Sequence, residues 1–229
     1  MRCALVAAAV ALGVEAAPAA DPPQDPSTIE SLTPEQARRL AAEFPGAEVQ
    51  VKESQGTVTH NFCLPLPRLR SIDVETARAL VGYRRGPLVL GGLVTLDADV
   101  AKVLATFRGG YLMLHGLKTL DVGAARVLAA SQYWDGLLPS LTAFESPDSI
   151  DIAKALAKRK LPLFVPHLRK ISAKTLTALI EKRDVGIPLL ESLELIPEPD
   201  GSPTDDFVIP DWLEQKQRRI REEPAGKAR

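Results

Sequence analysis

The apolar positions of this chain recur every 24 residues through its middle. "LVLGGLVTLDADVAKVLATFRGG" runs from Leu88 to Gly110, and "LMLHGLKTLDVGAARVLAASQYW" begins 24 residues later at Leu112. One leucine fixes the alignment: Leu69, Leu93, Leu117, Leu141, Leu168 and Leu193, at steps of 24, 24, 24, 27 and 25. Three positions on stands a second apolar residue: Ile72, Leu96, Leu120, Phe144, Ile171 and Ile196. Ala77, Ala101, Ala125 and Leu176 follow five further on, then Leu80, Leu104, Leu128 and Leu179 three beyond those. The fourth unit fits with four extra residues in "ESPDSIDIAKAL", giving Ala153 and Leu156. Four residues are about one helical turn, so a helix restarts in phase.

Each unit holds two periods. "LVL", "LML" and "LFV" place apolar residues two apart, the spacing of a strand. "DADVAKVLATF" and "DVGAARVLAAS" place them three and four apart, the spacing of a helix. Between the two stands Asp73, Asp97, Asp121 or Ser172, whose side-chain oxygen suits a helix N-cap. Pro147 suits a first helical position, and Gly86, Gly109, Gly110, Gly136 and Gly186 punctuate the far ends. The expected fold class is therefore α/β: a right-handed strand-helix solenoid with a parallel sheet on its concave side and helices behind.

The pattern L-x-L-x-G-L, met in full at Leu88–Leu93 and Leu112–Leu117, resembles a short bacterial form of the leucine-rich repeat. The resemblance covers roughly 64–196 and implies a horseshoe that binds proteins on its concave sheet. One feature departs from it. The common repeat carries an Asn after its strand, whereas the one asparagine here is Asn61.

The flanks divide the rest. Residues 1–20 have a basic start at Arg2, an apolar run "CALVAAAVALGV" and small residues at Ala16 and Ala19, the order of a secretory signal peptide. An uncleaved anchor is the alternative for that segment. Residues 21–62 read as linker and N-terminal cap, with a capping box at Thr33-Pro34-Glu35-Gln36 and an alternating stretch "AEVQVKESQGTVTHNF" that suggests a hairpin or strand. Residues 63–196 hold the repeats. In 197–229, Phe207, Ile209 and Trp212 offer anchors ahead of a charged tail.

Composition narrows the function. A net charge of -1 disfavours nucleic acid and acidic membranes as general partners, and 5% aromatics disfavour a stacking platform. With Cys3 in the presumed signal, Cys63 has no intrachain partner: it is either a small buried hydrophobe or a thiol joining two chains. His60, His115 and His167 lack metal-ligand spacing, and no Gly-x-Ser-x-Gly or Cys-x-x-Cys occurs. Gly91-Gly92 and Gly109-Gly110 recur at repeat positions and read as turns, Arg84-Arg85 and Arg218-Arg219 as solvated charge, and Asp205-Asp206 as a loop cap. No catalytic residue, metal or cofactor is expected.

The strand positions between the core leucines are less bland. Pro65, Val89, Met113, Leu137, Phe164 and Leu189 form an apolar row facing away from the helices, with His115 beside it. Such a stripe calls for a cover, either a partner or the chain's own C-terminal tail. The sequence thus points to an exported, non-enzymatic interaction module of unknown protein partner, placed in the medium, periplasm or cell envelope. A structural or envelope-associated protein that assembles with copies of itself is the alternative. Neither uses nucleic acid, and neither spans a membrane once the signal is removed.

Overall fold

The computed structural model describes residues 25–53, 56–204 and 207–222. The expected signal segment 1–20, with Cys3, and Asp205-Asp206 lie outside them. Among the described residues the strands are β1 (Ala47–Glu53), β2 (Gly56–Pro65), β3 (Leu88–Val89), β4 (Thr95–Leu96), β5 (Leu112–Met113), β6 (Thr119–Leu120), β7 (Leu163–Phe164), β8 (Lys170–Ser172), β9 (Val185–Gly186) and β10 (Glu194–Ile196). The α-helices of the same residues are α1 (Pro34–Glu43), α2 (Val74–Leu80), α3 (Ala98–Leu104), α4 (Val122–Ala130), α5 (Ser149–Ala157), α6 (Ala173–Ile180) and α7 (Asp211–Glu222).

The 24-residue step is visible in the pairing. Leu64 pairs in parallel with Leu88, and Leu88 with Leu112. Thr95 pairs with Thr119 and Leu96 with Leu120. Leu69, Leu93, Leu117, Leu141 and Leu168 are all buried in one core, together with Leu80, Leu104, Leu128, Leu156 and Leu179 from the helices. Helices α1 to α6 pack in chain order, each on the next.

The single solenoid sheet and horseshoe are not what forms. Pairing breaks into four small sheets, ordered β1-β2-β3-β5, β10-β8, β4-β6 and β7-β9, and the first is mixed because β1 runs antiparallel to β2. Most repeat strands hold two or three residues. Two causes are evident. Pro65, Pro87, Pro139, Pro162, Pro166 and Pro188 remove ladder donors next to nearly every rung. The spacing also slips after β5: Leu112 bridges Trp134, 22 residues on, and Leu137 bridges Phe164, 27 on, both as isolated pairs. The chain is α/β with small mixed sheets.

The caps form where side-chain oxygens precede the helices. Asp73 accepts from the amide of Thr76 at 2.7 Å, Asp97 from Val100 at 2.8 Å, and Asp121 from Ala124 at 2.6 Å. The second oxygen of Asp121 accepts from Ala98 at 3.1 Å, tying α4 to the start of α3. Thr33 and Gln36 complete the capping box at 2.9 and 3.2 Å. Pro147 lies outside its helix: α5 starts at Ser149 after a turn in which Ser146 Oγ accepts from the Asp148 amide.

With no Asn in the turns, backbone packs directly on backbone. A Cβ on Gly92 would lie 2.6 Å from the Pro67 carbonyl oxygen, and one on Gly116, the equivalent position 24 residues later, would strike that of Gly91. Further along, Arg159 does the joining. It is 3% exposed and donates to the carbonyls of Trp134 (2.6 Å), Ser131 (2.8 Å) and Pro162 (3.1 Å), with its guanidinium 4.7 Å above the Trp134 ring. Lys182 in turn donates to the Arg159 carbonyl at 2.7 Å and pairs with Asp184.

The neighbours Gly91 and Gly92 separate close packing from mere flexibility. Gly92→Ala should destabilise the fold by about 1–3 kcal/mol in denaturant titration, because backbone must move. Gly91→Ala, whose Cβ would sit 3.7 Å from Pro67, should stay within about 0.5 kcal/mol. Equal effects would show that the turns are not closely packed.

Candidate binding surface

The apolar row lies on the outer side of the strands, away from the helices, and most of it is covered. Val89, Met113 and Leu137 are buried, while Pro65, Phe164 and Leu189 are half-buried. Val89 and Met113 form a separate small cluster with Cys63, and Val49 of β1 packs against it. The cover is therefore the N-terminal hairpin β1–β2 at these positions, rather than the C-terminal tail.

The tail closes the last unit instead. Leu213 of α7 enters the main core. Gln217 accepts from the Leu190 amide at 2.9 Å and donates to the Pro188 carbonyl at 3.2 Å. Lys216 donates to the Val185 carbonyl at 2.6 Å, and burial pushes its ammonium pKa down. The loop and edge polar groups left by β9 thus find partners on α7.

The hairpin reaches the outer face through a bend in β2. Asn61 and Phe62 together stand opposite the single residue Glu48, a bulge in the β1–β2 ladder. Phe62 takes φ +58, the left-handed region, which costs a non-glycine residue roughly 1–2 kcal/mol. Its surroundings fix that conformation. The buried Tyr83 hydroxyl donates to the Phe62 carbonyl at 2.5 Å, and Gly46 and Gly86 press on its backbone. A Cβ on Gly46 would sit 2.5 Å from the Phe62 Cα. Past the bend, Cys63 is fully buried.

Cys63 Sγ lies 3.4 Å from the His60 carbonyl, and burial raises its pKa. Of the two sequence readings, the structure shows the buried hydrophobe: this thiol cannot reach a second chain without the hairpin lifting. Burial likewise raises the Tyr83 hydroxyl, with Cys63 adding to the shift and Arg85 opposing it. His115 Nε2 lies 2.6 Å from Asp135 Oδ2, each side chain 17% exposed, and Asp135 Oδ1 accepts from the Leu137 amide. This pair orders the turn beside β5. His167 Nδ1 lies 2.9 Å from the Pro139 carbonyl. Among the described residues no three His, Cys, Asp or Glu side chains gather as metal ligands, and none of their helices is long and apolar enough to cross a membrane.

Three apolar side chains stay exposed on or beside the hairpin: Phe62 at 63%, Tyr111 at 54% and Val58 at 39%. The His60 ring meets Tyr111 edge-on at 6.3 Å, which brings Tyr111 up against β2. The next aromatic along that row, Tyr133, carries the Arg108 guanidinium 4.5 Å above its ring. The row of strand residues was visible in the alternation of the sequence. Phe62 was not, because nothing local marks a phenylalanine for the left-handed region. No family model, curated protein or solved structure matches the chain.

Cys63 reports on the cover. In a Cys3→Ser chain it should resist thiol reagents under native conditions. Met113→Lys, which puts a charge under the hairpin, should make Cys63 reactive, whereas Phe164→Lys should not. Native reactivity of Cys63 without substitution would mean that the hairpin does not lie on the strands.

Proposed function

We propose that this protein is an exported, non-enzymatic module that binds another protein through the outer strand face around Phe62 and Tyr111. Phe62 carries the proposal. A large aromatic ring held 63% in solvent, on a backbone conformation that disfavours it, opposes stability and suits contact with a partner. Tyr111 and Val58 extend the apolar area, and Phe164 and Leu189 continue the row beyond the hairpin. Aromatics placed in this way supply much of the binding energy at protein interfaces. Export rests on the order of charge, apolar run and small residues in 1–20.

Self-assembly is the second reading, favoured by one observation. Among the described residues strand β10 pairs only with β8, which leaves its other edge open there, with Leu195 53% exposed. Light scattering and affinity capture on the full chain separate the two. Phe62→Ser with Tyr111→Ser should remove captured partners at least about tenfold and leave the protein folded and monodisperse. Concentration-dependent assembly, abolished by Leu195→Lys and indifferent to Phe62, would replace the first reading with the second.

A further inference from the structure

Helices α2, α3, α4 and α6 each follow a strand and α5 follows α4 directly, and neighbouring helices pack on one another, so the C-terminal ends of α4 and α5 come side by side. Between the ends of α4 and α5 lies a groove of 660 Å³. Arg126, Lys158 and Lys160 line it, with alanines of both helices between them and no carboxylate among the lining residues. Some exposed cations elsewhere are paired, as Arg78 with Glu75, Lys102 with Asp99 and Lys170 with Glu145. Among the described residues, Arg126, Lys158 and Lys160 make no ion pair and no side-chain hydrogen bond.

Basic residues at a helix C-terminus ordinarily answer its free carbonyls and macrodipole. Here that role is filled from below. The buried Arg159 guanidinium donates to the Leu128 and Ser131 carbonyls at the end of α4, at 3.4 and 2.8 Å. The three surface cations bond none of these carbonyls. They concentrate positive potential in a concave site whose walls are apolar. Ser131 and Gln132, also in the groove, add a hydroxyl and an amide donor.

We infer that this groove binds a multiply charged phosphate ligand. A lone carboxylate would leave two of the three cations unmatched, whereas a phosphate group offers several charged oxygens to Arg, Lys and neutral donors together. The volume is that of a small-molecule site rather than of a single bound ion. A free phosphorylated compound and an anionic lipid headgroup present the same chemistry. The site lies on the helix edge, away from the strand face, and does not depend on the protein-binding proposal.

The test uses the full chain and two probes: inorganic tripolyphosphate in solution, and phosphatidylcholine vesicles with and without phosphatidic acid. Arg126→Gln/Lys158→Gln/Lys160→Gln should weaken binding by about tenfold or more, with unchanged circular dichroism because all three side chains are exposed and unpartnered. A charge-matched control, Arg68→Gln/Arg70→Gln/Lys118→Gln, removes as many cations from the turn-side groove that also contains Glu30, and should bind as the parent does. Binding of tripolyphosphate assigns a soluble ligand, and binding of acidic vesicles alone assigns a headgroup. No binding of either probe, or equal loss in both triple variants, overturns the inference.

Discussion

The buried amide of each of the first three repeat rungs is bonded to a carbonyl of the next unit. Leu64 donates to Pro87 at 2.9 Å, Leu88 to Tyr111 at 2.9 Å and Leu112 to Tyr133 at 2.8 Å, and all three leucines are fully buried. An unpaired amide at such depth costs about 1–3 kcal/mol, so neighbouring units must stay in step. The close turns at Gly92 and Gly116 follow from this, since the backbones must approach to make the bonds. So does the double use of Asp121, one oxygen for its own helix and one for the preceding helix. Where the step slips, past Trp134, bridges thin out and the buried Arg159 joins the loops instead.

Both chemical proposals come from what this framework leaves over. On the strand side, the hairpin covers Val89 and Met113 but holds Phe62 out in solvent at the bend that lets it do so. On the helix edge, Arg159 satisfies carbonyls of α4 from within, and Arg126, Lys158 and Lys160 line the groove beside it with no ion pair among the described residues. The net charge of -1 conceals this, because it sums over the whole chain and says nothing of where the charges stand.

The repeat, its 24-residue phase, the buried leucines and the caps at Asp73, Asp97, Asp121 and Ser172 were legible in the sequence, because period and capping are local properties. The extent of the sheet was not. It depends on whether each rung keeps a donor beside its proline, and two apolar residues of a broken rung look like two of a long strand. The apolar row from Val89 to Phe164 was legible as a row, but its cover was not. That depended on a left-handed phenylalanine wedged between Gly46 and Gly86, a contact made by residues far apart in the chain. The basic groove was equally hidden, since Arg126 and Lys160 meet only when α4 and α5 pack.

Native-state hydrogen exchange at the Leu64, Leu88 and Leu112 amides tests the central constraint most directly. If each is bonded across units in one cooperative core, all three should exchange only by global unfolding, with equal opening free energies that shift together in denaturant. If any of the three exchanges as fast as a surface loop while the others stay protected, the units are not in register and the description fails.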